Sequence, residues 1–260
     1  MKVALLQMDV VFGNPSANIA NATRLLAEAA ATKPDVIVLP EMWNTGYSLT
    51  NIRDVADRQG EPSISAMSEL AARYEVNVVA GSIADLKGSG VYNTSYILDR
   101  QGRTVATYSK IHRFGLMDED KYMDAGDDIV DFELDGVRCG IIICYDLRFP
   151  ELARQIAVRG AKVLFVPAQW PNPRVSHWVS LNVARAIENQ MYVVGCNRVG
   201  EGGGSTFFGH SMVTDPWGEV AADGAGQEGV ISCEMDLAKV DEARTKIPVF
   251  RDRRPEVYRK

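Results

Sequence analysis

Three side chains suited to acyl transfer stand at the ends of separate apolar segments of the sequence. Cys144 follows the β-branched run at residues 137–143, Glu41 follows VIVLP, and Lys110 closes TVATYSK. A thiol, a carboxylate and an ammonium supply a nucleophile, a proton acceptor and a cationic donor, which are the parts of an acyl-transfer site. Because the carboxyl ends of neighbouring strands meet at one edge of a sheet, we expect the three groups to converge on one pocket.

The segment around Cys144 predicts a turn from a strand into a helix. Residues 148–160 carry apolar side chains at helical spacing and stop at a glycine. Such a turn lifts a nucleophile out of the sheet and directs main-chain N–H groups towards the charge that develops beside it. A buried structural thiol is the alternative, since a reactive cysteine needs electropositive and partly open surroundings. Cys139, Cys196 and Cys233 lie inside strand-like runs and are predicted to be small core residues.

The composition predicts one large α/β domain over residues 1–260. Of the 260 residues, 46% are hydrophobic and 24% are charged, which suffices for a sizeable core. The net charge is −6, and the Lys and Arg side chains are dispersed rather than gathered into a stripe. Both observations argue against a nucleic-acid partner.

The sequence also argues against a secretion signal and a membrane segment. Gln7 and Asp9 interrupt the first apolar run, no small-residue cleavage pattern follows it, and no apolar stretch has the length of a membrane helix. Four cysteines without close pairing do not resemble a disulfide framework. We therefore expect a soluble protein of the reducing cytoplasm.

Strand-like and helix-like segments alternate along the chain, which predicts an α/β fold with hairpins. Helices are expected at residues 18–31, 63–74 and 175–189. The glycine-rich run at 200–209 lacks the Lys-Ser/Thr ending of a phosphate loop, and we expect a mobile surface loop there. The basic tail, from about residue 245, is expected to be a C-terminal arm that is either solvated or strapped across a partner subunit.

Three ordered blocks of the sequence resemble the nitrilase superfamily of carbon–nitrogen hydrolases. They are LPEMWNTGY around Glu41, YSKIHRFG around Lys110 and IICYDLRFPE around Cys144, and the similarity continues through ENQMYVVGCNRVG and GHSMVTDPWGE. The resemblance implies a four-layer αββα sandwich, an amidase-type hydrolase and at least a homodimer. PEMWNTGY together with PAQWPNPRVSHW is most similar to the ω-amidase branch, which hydrolyses 2-oxoglutaramate-type amides.

The resemblance also implies a set of site residues. The family's Glu–Lys–Cys triad falls on Glu41, Lys110 and Cys144. A second family glutamate, which supports the lysine and helps to position the substrate, falls on Glu119. Asp118 is adjacent and is the alternative for that position, and a solvated acidic loop is the other interpretation of this segment.

The chemistry expected of these residues is amide hydrolysis through a cysteinyl thioester. A free cysteine has a pKa of about 8.5, so Cys144 needs a base or a nearby cation. We expect Glu41 to take the thiol proton, pass it to the departing ammonia and later activate water, with a pKa raised by partial burial. Lys110 and the main-chain N–H of Tyr145 are the expected donors to the oxyanion.

Substrate contacts are expected from one arginine and two tryptophans. A carboxylate on the substrate favours a bidentate partner, and Arg174 in the PNPRVSHW loop is the best candidate. Arg185 stands beside Glu188 on a predicted helix and is expected to form an internal ion pair. Trp170 and Trp43 are candidates for the pocket walls, although core packing explains either of them equally well.

No metal and no cofactor is expected. His112, His177 and His210 belong to no HExxH or paired CxxC arrangement, and no GxSxG elbow indicates a serine hydrolase. The sequence therefore predicts a cofactor-free amidohydrolase that acts on a small ω-amide. An N-carbamoyl amino acid amidohydrolase, a nitrilase and a non-catalytic binding protein on the same fold are the alternatives.

Overall fold

A computed structural model describes residues 1–258, in which strands and helices alternate along most of the chain. The strands are β1 (Lys2–Gln7), β2 (Val36–Val38), β3 (Asp57–Arg58), β4 (Asn77–Val79), β5 (Ile83–Lys87), β6 (Gly90–Leu98), β7 (Thr104–Ser109), β8 (Asp131–Leu134), β9 (Val137–Ile141), β10 (Val163–Ala168), β11 (Tyr192–Asn197), β12 (Val199–Gly202), β13 (Ser205–Phe208), β14 (Met212–Thr214), β15 (Val220–Asp223) and β16 (Gly229–Glu234). The α-helices are α1 (Pro15–Ala30), α2 (Ile52–Val55), α3 (Ser63–Tyr74), α4 (Glu119–Tyr122), α5 (Pro150–Val158), α6 (Val175–Asn189), α7 (Ala238–Lys246) and α8 (Pro255–Tyr258). Short 3-10 helices occupy Leu49–Asn51, Gly115–Met117 and Cys144–Arg148.

The strands form two mixed sheets and a separate hairpin. The first sheet has the order β16-β1-β2-β4-β6-β5-β3, with β7 also paired to β6. The second sheet has the order β15-β14-β11-β10-β9-β8, and β12 pairs with β13. Each sheet contains a run of parallel strands, β1-β2-β4 in the first and β9-β10-β11 in the second. Within each run the carboxyl ends of the strands therefore lie at one edge of the sheet.

The side chains of β1 show how the layers stack. Val3 and Leu5 belong to the same apolar cluster as Val194 of the second sheet. Ala4 and Leu6 belong to the cluster formed with the helices α1 and α3. Because side chains alternate across a strand, β1 is apolar on both faces and lies between two layers. With α5 and α6 packed against β9 and β11, the layers form the αββα sandwich that the resemblance implied.

Local sequence signals set most of the helix boundaries. The helices predicted at 63–74 and 175–189 are α3 and α6. α1 begins at Pro15, earlier than predicted, because the Asn14 side chain accepts a hydrogen bond from the Ala17 N–H and caps the helix.

A single glycine stands between β4 and β5 in the run VNVVAGSIA. Gly81 has a φ of +56°, and a Cβ at this position would clash with the Pro40 carbonyl oxygen. This close approach brings Ser82 against the segment that follows β2. There the Ser82 side chain and carbonyl oxygen accept the main-chain N–H groups of Met42 and Trp43, at 3.0 and 3.1 Å.

The glycine-rich run is a paired β-hairpin rather than the surface loop predicted from the sequence. Gly203 and Gly204 join β12 to β13 with φ values of +57° and +77°, which suit a tight turn. The buried Arg198 guanidinium lies 4.3 Å from the ring centroid of Phe207 and donates to Asp9 at 2.9 Å. The contact with Asp9 ties the hairpin to the segment that follows β1, and local sequence does not reveal it.

The C-terminal arm contacts its own chain through Phe250. Phe250 lies between the guanidinium groups of Arg154 and Arg244, at 5.5 and 5.0 Å from its ring centroid. The last part of the predicted arm, residues 259–260, lies outside the described residues. In residues 1–258 no helix has the length and apolar character needed to cross a membrane.

Candidate active site

The structure brings Glu41, Lys110 and Cys144 together at the ends of strands. Glu41 follows β2, Lys110 comes directly after β7, and Cys144 begins the 3-10 helix that follows β9. All three residues are buried, with exposed fractions of 0, 1 and 7%. Lys110 Nζ lies 2.8 Å from Glu41 Oε1, and the Glu41 charge is near enough to Cys144 to raise the pKa of the thiol. A thiol, a base and a cation therefore share one buried place.

Cys144 occupies a strained turn. Its φ of +46° falls in the left-handed region, which is unfavourable for a residue with a Cβ. The buried Asp146 carboxylate holds this turn, because it accepts the Ile143 N–H at 3.0 Å and the Tyr108 hydroxyl at 2.7 Å. It also accepts the main-chain N–H of His112 at 2.9 Å. Tyr108 and His112 flank the lysine of the site, so Asp146 ties the segment with the thiol to the segment with the ammonium.

The Lys110 ammonium lies between two carboxylates. Its Nζ is 2.8 Å from Glu41 Oε1 and 2.8 Å from Glu119 Oε2. Glu119 is the first residue of α4, is fully buried and also accepts the main-chain N–H of Phe114 at 2.7 Å. The Asp118 side chain is exposed and pairs with a surface lysine. Of the two acidic residues weighed from the sequence, the structure places Glu119 against the lysine.

Three polar groups that the sequence analysis did not single out surround the Glu41 carboxylate. The Tyr47 hydroxyl donates to Oε1 at 2.6 Å, and Asn93 Nδ2 donates to the same oxygen at 2.8 Å. The main-chain N–H of Gln169 donates to Oε2 at 2.8 Å. Tyr47 belongs to PEMWNTGY, and Asn93 is a polar residue inside a strand-like run, so both left a signal in the sequence. The contact from Gln169 uses a main-chain N–H, which residue types in a sequence do not reveal.

The pKa values of the two glutamates are shifted in opposite directions. Burial raises the pKa of Glu41, but the Lys110 ammonium and the Tyr47 hydroxyl outweigh burial and hold this pKa below its ordinary value of 4.5. Burial raises the pKa of Glu119, and the negative charge of Glu41 adds to that effect, so the value stays above the ordinary one despite Lys110. The expectation of a raised pKa for Glu41 is wrong, because it weighed burial without the adjoining ammonium.

The thiol and the ammonium both hold their protons at rest. Burial and the Glu41 carboxylate raise the pKa of Cys144 well above its ordinary value of 9.0. Burial lowers the pKa of Lys110, but the Glu119 and Glu41 carboxylates outweigh it and keep the value above 10.5. The site thus rests as a neutral thiol beside an ionised Glu41 and a protonated Lys110. A thiol in this state loses its proton to the base as it attacks, which is general-base chemistry.

A small cavity lies beside the Cys144 thiol. Its walls are aromatic and cationic and include Phe114, Tyr145, Arg148, Trp170 and Arg174. The Arg148 guanidinium lies 4.6 Å from the centroid of the Trp170 ring, and the Arg174 guanidinium lies 5.9 Å from that of Phe114. Such walls suit a small molecule with a negatively charged end.

The two tryptophans named from the sequence have different surroundings. Trp170 lines the cavity and donates its Nε1–H to the Arg174 carbonyl oxygen at 3.1 Å. Trp43 is fully buried in an apolar cluster and donates its Nε1–H to the Ala80 carbonyl oxygen at 2.8 Å. Of the two alternatives that the sequence left open for Trp43, the structure supports core packing, since Trp43 belongs to the apolar cluster shared with α1 and α3 and is not among the cavity residues.

Arg185 supports the nucleophile turn from outside the cavity. It pairs with Glu188 at 2.8 Å, as the sequence predicts for neighbours on a helix. Its Nε and Nη2 also donate to the Leu147 carbonyl oxygen, at 3.1 and 2.8 Å. The same guanidinium therefore satisfies a carbonyl group of the 3-10 helix that Cys144 begins.

The remaining cysteines and the histidines have structural surroundings. Cys139, Cys196 and Cys233 are free thiols buried in strands. Each histidine ring lies within hydrogen-bond distance of an aspartate or an arginine side chain. Over residues 1–258, the side chains form no group of three or more potential ligands that would hold a metal ion.

Comparison with protein families assigns the class. Residues 2–245 match the family model described as Carbon-nitrogen hydrolase. The chain belongs to this family, part of the nitrilase superfamily, and it is an enzyme of the amidase type.

Individual proteins of known name are similar to this chain over most of its length. The chain is 46% identical over 256 residues to 2-oxoglutaramate amidase of Bacillus subtilis (strain 168), with 98% of each sequence covered. It is 34% identical over 270 residues to the chloroplastic omega-amidase of Arabidopsis thaliana, with 98% of this chain and 73% of the relative covered. The crystal structure of a CN-hydrolase superfamily protein from Xanthomonas campestris, with an arsenic adduct in its active site, matches with a TM-score of 0.92 and 29% identity. That match covers 98% of this chain and 97% of the other.

Proposed function

We propose that the protein hydrolyses the terminal amide of a small 2-oxo dicarboxylic acid, such as 2-oxoglutaramate, to a carboxylate and ammonia. The observation that supports this most is the cavity beside Cys144, which two guanidinium groups also line. Glu41 and Lys110 form an ion pair next to the nucleophile. Relatives at 46% and 34% identity that are named for 2-oxoglutaramate and for ω-amides support the same substrate class.

The first step forms a bond between Cys144 Sγ and the carbonyl carbon of the amide. Glu41 takes the thiol proton as this bond forms, and the carbonyl electrons move onto the oxygen. Lys110 and the main-chain N–H of Tyr145, near the start of a 3-10 helix, stabilise the oxyanion. For this the ammonium exchanges its 3.0 Å contact with the Tyr47 hydroxyl for the new oxygen.

Collapse of the tetrahedral intermediate then breaks the C–N bond. Glu41 returns its proton to the departing nitrogen, which leaves as ammonia, and the acyl group stays on Cys144 as a thioester. A water molecule attacks the thioester while Glu41 takes one of its protons. The second collapse returns the proton from Glu41 to the sulfur and releases the product as a carboxylic acid, which loses its remaining proton to solvent and becomes the carboxylate. Glu41 ends each cycle ionised, which agrees with its lowered pKa.

The anionic end of the substrate is assigned to the guanidinium groups of the cavity. Arg174 precedes α6 and was the candidate from the sequence, and Arg148 shares the same cavity. Each lies over an aromatic ring, which favours the guanidinium there and leaves it available for a bidentate contact with a carboxylate. Glu119 is assigned to hold Lys110 in position.

Ammonia release across a panel of compounds tests this proposal. The panel comprises 2-oxoglutaramate, glutamine, asparagine, N-carbamoyl amino acids and simple nitriles, with the Cys144→Ala variant as the control. We expect 2-oxoglutaramate to be the best substrate and the variant to be inactive. Turnover confined to N-carbamoyl compounds or to nitriles would assign the chain to another branch of the superfamily. Silence across the whole panel would contradict the proposed substrate class.

We propose that residues 1–260 fold as one domain and that the protein works in the cytoplasm as at least a homodimer. The family resemblance supports the assembly, and the four free cysteines suit a reducing compartment. Sedimentation equilibrium tests the assembly against the 28.6 kDa mass of one chain. A species of that mass at micromolar concentration would contradict the homodimer.

A further inference from the structure

Asn93 lies on β6 beside the strand that leads to the lysine of the site. It is buried, with an exposed fraction of 2%, and its carbonyl oxygen accepts the Lys110 N–H at 2.9 Å. Its side chain faces the two glutamates, because Nδ2 is 2.8 Å from Glu41 Oε1 and 3.1 Å from Glu119 Oε1. One amide group therefore bridges the two carboxylates that share the ammonium.

The two oxygens of Glu41 differ in how many donors they meet. Oε1 accepts from the Tyr47 hydroxyl at 2.6 Å, from Asn93 Nδ2 at 2.8 Å and from Lys110 Nζ at 2.8 Å. Over residues 1–258, Oε2 accepts one hydrogen bond, from the Gln169 N–H at 2.8 Å. A carboxylate oxygen offers about two lone pairs, so three donors saturate Oε1 while Oε2 keeps one lone pair for a proton.

The orientation of the Asn93 side-chain amide leaves its oxygen without a hydrogen-bond partner in the part of the chain that the structure describes. Its Oδ1 is buried and has no hydrogen-bond partner among the described residues. An unpartnered buried acceptor is unfavourable, but a flipped amide would turn this oxygen against two carboxylates and remove the donor from both. The two carboxylates thus fix which end of the amide faces them, and the orientation serves the site rather than the packing of β6.

We propose that Asn93 is a positioning residue that keeps Glu41 Oε1 out of the proton transfer and leaves Oε2 as the oxygen that accepts the proton from Cys144. This inference rests on the proposed cysteine hydrolase mechanism. Asn93 does not touch the substrate and acts through Glu41. Tyr47 donates to the same oxygen, but it also lines the cavity, so Asn93 allows the cleaner test.

The test compares Asn93→Ala and Asn93→Asp with Asn77→Ala as the matched control. Asn77 is also a buried strand residue of the first sheet, and its Nδ2 donates to a carboxylate, Asp135 Oδ2, at 2.7 Å. It precedes Val78, which pairs with the far end of β6. The main-chain contact of Asn93 with the lysine survives all these substitutions, so the test isolates the side chain.

The primary readout is the rate at which iodoacetamide alkylates Cys144 as a function of pH, with the modified peptide identified by mass spectrometry. This reaction needs the base but not the natural substrate. Loss of one hydrogen bond to a charged group is expected to move the acid limb of the Asn93→Ala profile up by about one pH unit and to slow alkylation near the limb about tenfold. Asn93→Asp adds a third carboxylate and is expected to slow alkylation further.

The same profile measured for kcat/KM on the best amide of the panel provides the second readout. An acid limb of Asn93→Ala that coincides with that of Asn77→Ala would overturn the assignment. Should the alanine variant fail to fold by circular dichroism, Asn93→Ser keeps a small polar group and takes its place, with an intermediate shift expected. A displaced alkylation profile in a protein that turns over none of the amides would uphold the role of Asn93 and contradict the proposed substrate. Amide turnover with an unchanged alkylation profile would uphold the proposed substrate and contradict the role of Asn93.

Discussion

Two buried carboxylate clusters contact the segment at residues 41–47, and only one of them encloses a buried cation among the described residues. Glu41 and Glu119 share the Lys110 ammonium at 2.8 Å. Asp57 and Asp85 stand opposite each other on β3 and β5, and the ammonium nearest to them is that of Lys87, 3.8 Å from Asp85 and partly exposed.

In the aspartate cluster the closest contacts of the carboxylates are hydrogen bonds from neutral donors. Asp57 accepts the Ser63 N–H at 2.7 Å and Asn44 Nδ2 at 3.1 Å, and Asp85 accepts the Tyr96 hydroxyl at 2.7 Å. Burial nevertheless raises the pKa of Asp57 above its ordinary value. In the glutamate cluster the pKa of Glu41 is shifted the other way, below its ordinary value.

The difference shows that burial alone does not make a base of a carboxylate. Burial without a nearby cation raises the pKa of a carboxylate, so the group tends to hold its proton. Lys110 instead keeps Glu41 ionised next to a neutral thiol. This difference supports the proposal that the glutamate cluster accepts a proton from Cys144. The aspartate cluster instead positions the segment with Glu41, because Asn44 links that segment to Asp57.

The largest expected effect comes from removing the nucleophile of the glutamate cluster. We expect Cys144→Ala to lower ammonia release by about 10⁴-fold or more, since no other group on the site can form the thioester. The fold is expected to survive, because alanine keeps the Cβ of the strained turn. Ammonia release and a circular dichroism melt measure the two properties. A variant that still hydrolyses the amide at a comparable rate would remove Cys144 from the mechanism.

Removing the cation tests the comparison directly. Lys110→Met leaves two carboxylates buried without their partner, so we expect the free energy of unfolding at neutral pH to fall by about 3–5 kcal/mol. Turnover is expected to fall by about 10²–10³-fold, because the oxyanion loses a donor. The loss of stability should shrink in acid, where the carboxylates become protonated. Urea denaturation at neutral and acidic pH measures it.

Lys87→Met is the matched control for that prediction. Lys87 stands at 3.8 Å from Asp85 and keeps about a third of its side chain exposed, so solvent screens its contribution. We expect a much smaller change in the free energy of unfolding and no change in turnover. Equal destabilisation by the two substitutions would mean that the buried cation does not set the clusters apart.

The sequence predicted the parts of the site that depend on local pattern. Glu41, Lys110 and Cys144 each adjoin an apolar run, and strand ends are where an α/β sheet presents its chemistry. Glu119 required the family resemblance, because α4 is only four residues long and offers no periodicity that distinguishes it from Asp118. The choice between the two depends on which side chain faces the lysine, and that is a tertiary property.

The parts that the sequence did not predict depend on contacts between distant segments. Asn93 on β6 contacts Glu41, which follows β2 and lies 52 residues away in sequence. Trp43 is buried in an apolar cluster and does not line the cavity. The direction of the Glu41 pKa followed from a cation supplied by another strand. The hairpin at 200–209 likewise depends on the buried Arg198, whose partners lie near the N-terminus.

The acid limb of the activity profile sharpens the comparison. In the proposed mechanism ionised Glu41 is the active form, and its pKa is lowered, so turnover should persist as pH falls and should decline only below the ordinary value of 4.5. The same shift affects stability. The contribution of Glu41 is present above its pKa in the unfolded chain and is lost as pH falls through its pKa in the folded chain. A kcat/KM profile, with circular dichroism at each pH, measures both. An acid limb above 4.5 in folded protein would contradict the lowered pKa.

The smallest effect is expected from Asp57→Asn in the aspartate cluster. The amide oxygen can still accept the Ser63 N–H, but the amide NH₂ meets the Asn44 donor, so about one hydrogen bond is lost. We expect the free energy of unfolding to fall by about 1 kcal/mol and turnover to stay at the wild-type level.

The pH dependence of this destabilisation gives the prediction its sign. Because the pKa of Asp57 is raised on folding, its contribution to stability is fully present below its pKa in the unfolded chain and is lost as pH rises through its pKa in the folded chain. Asparagine does not titrate, so the wild type should exceed the variant in stability most strongly in acid. Urea denaturation of both proteins across the acidic range measures this difference. A stable Asp57→Asn protein with strongly reduced turnover would show that the aspartate cluster takes part in the chemistry, and the distinction between the clusters would then fail.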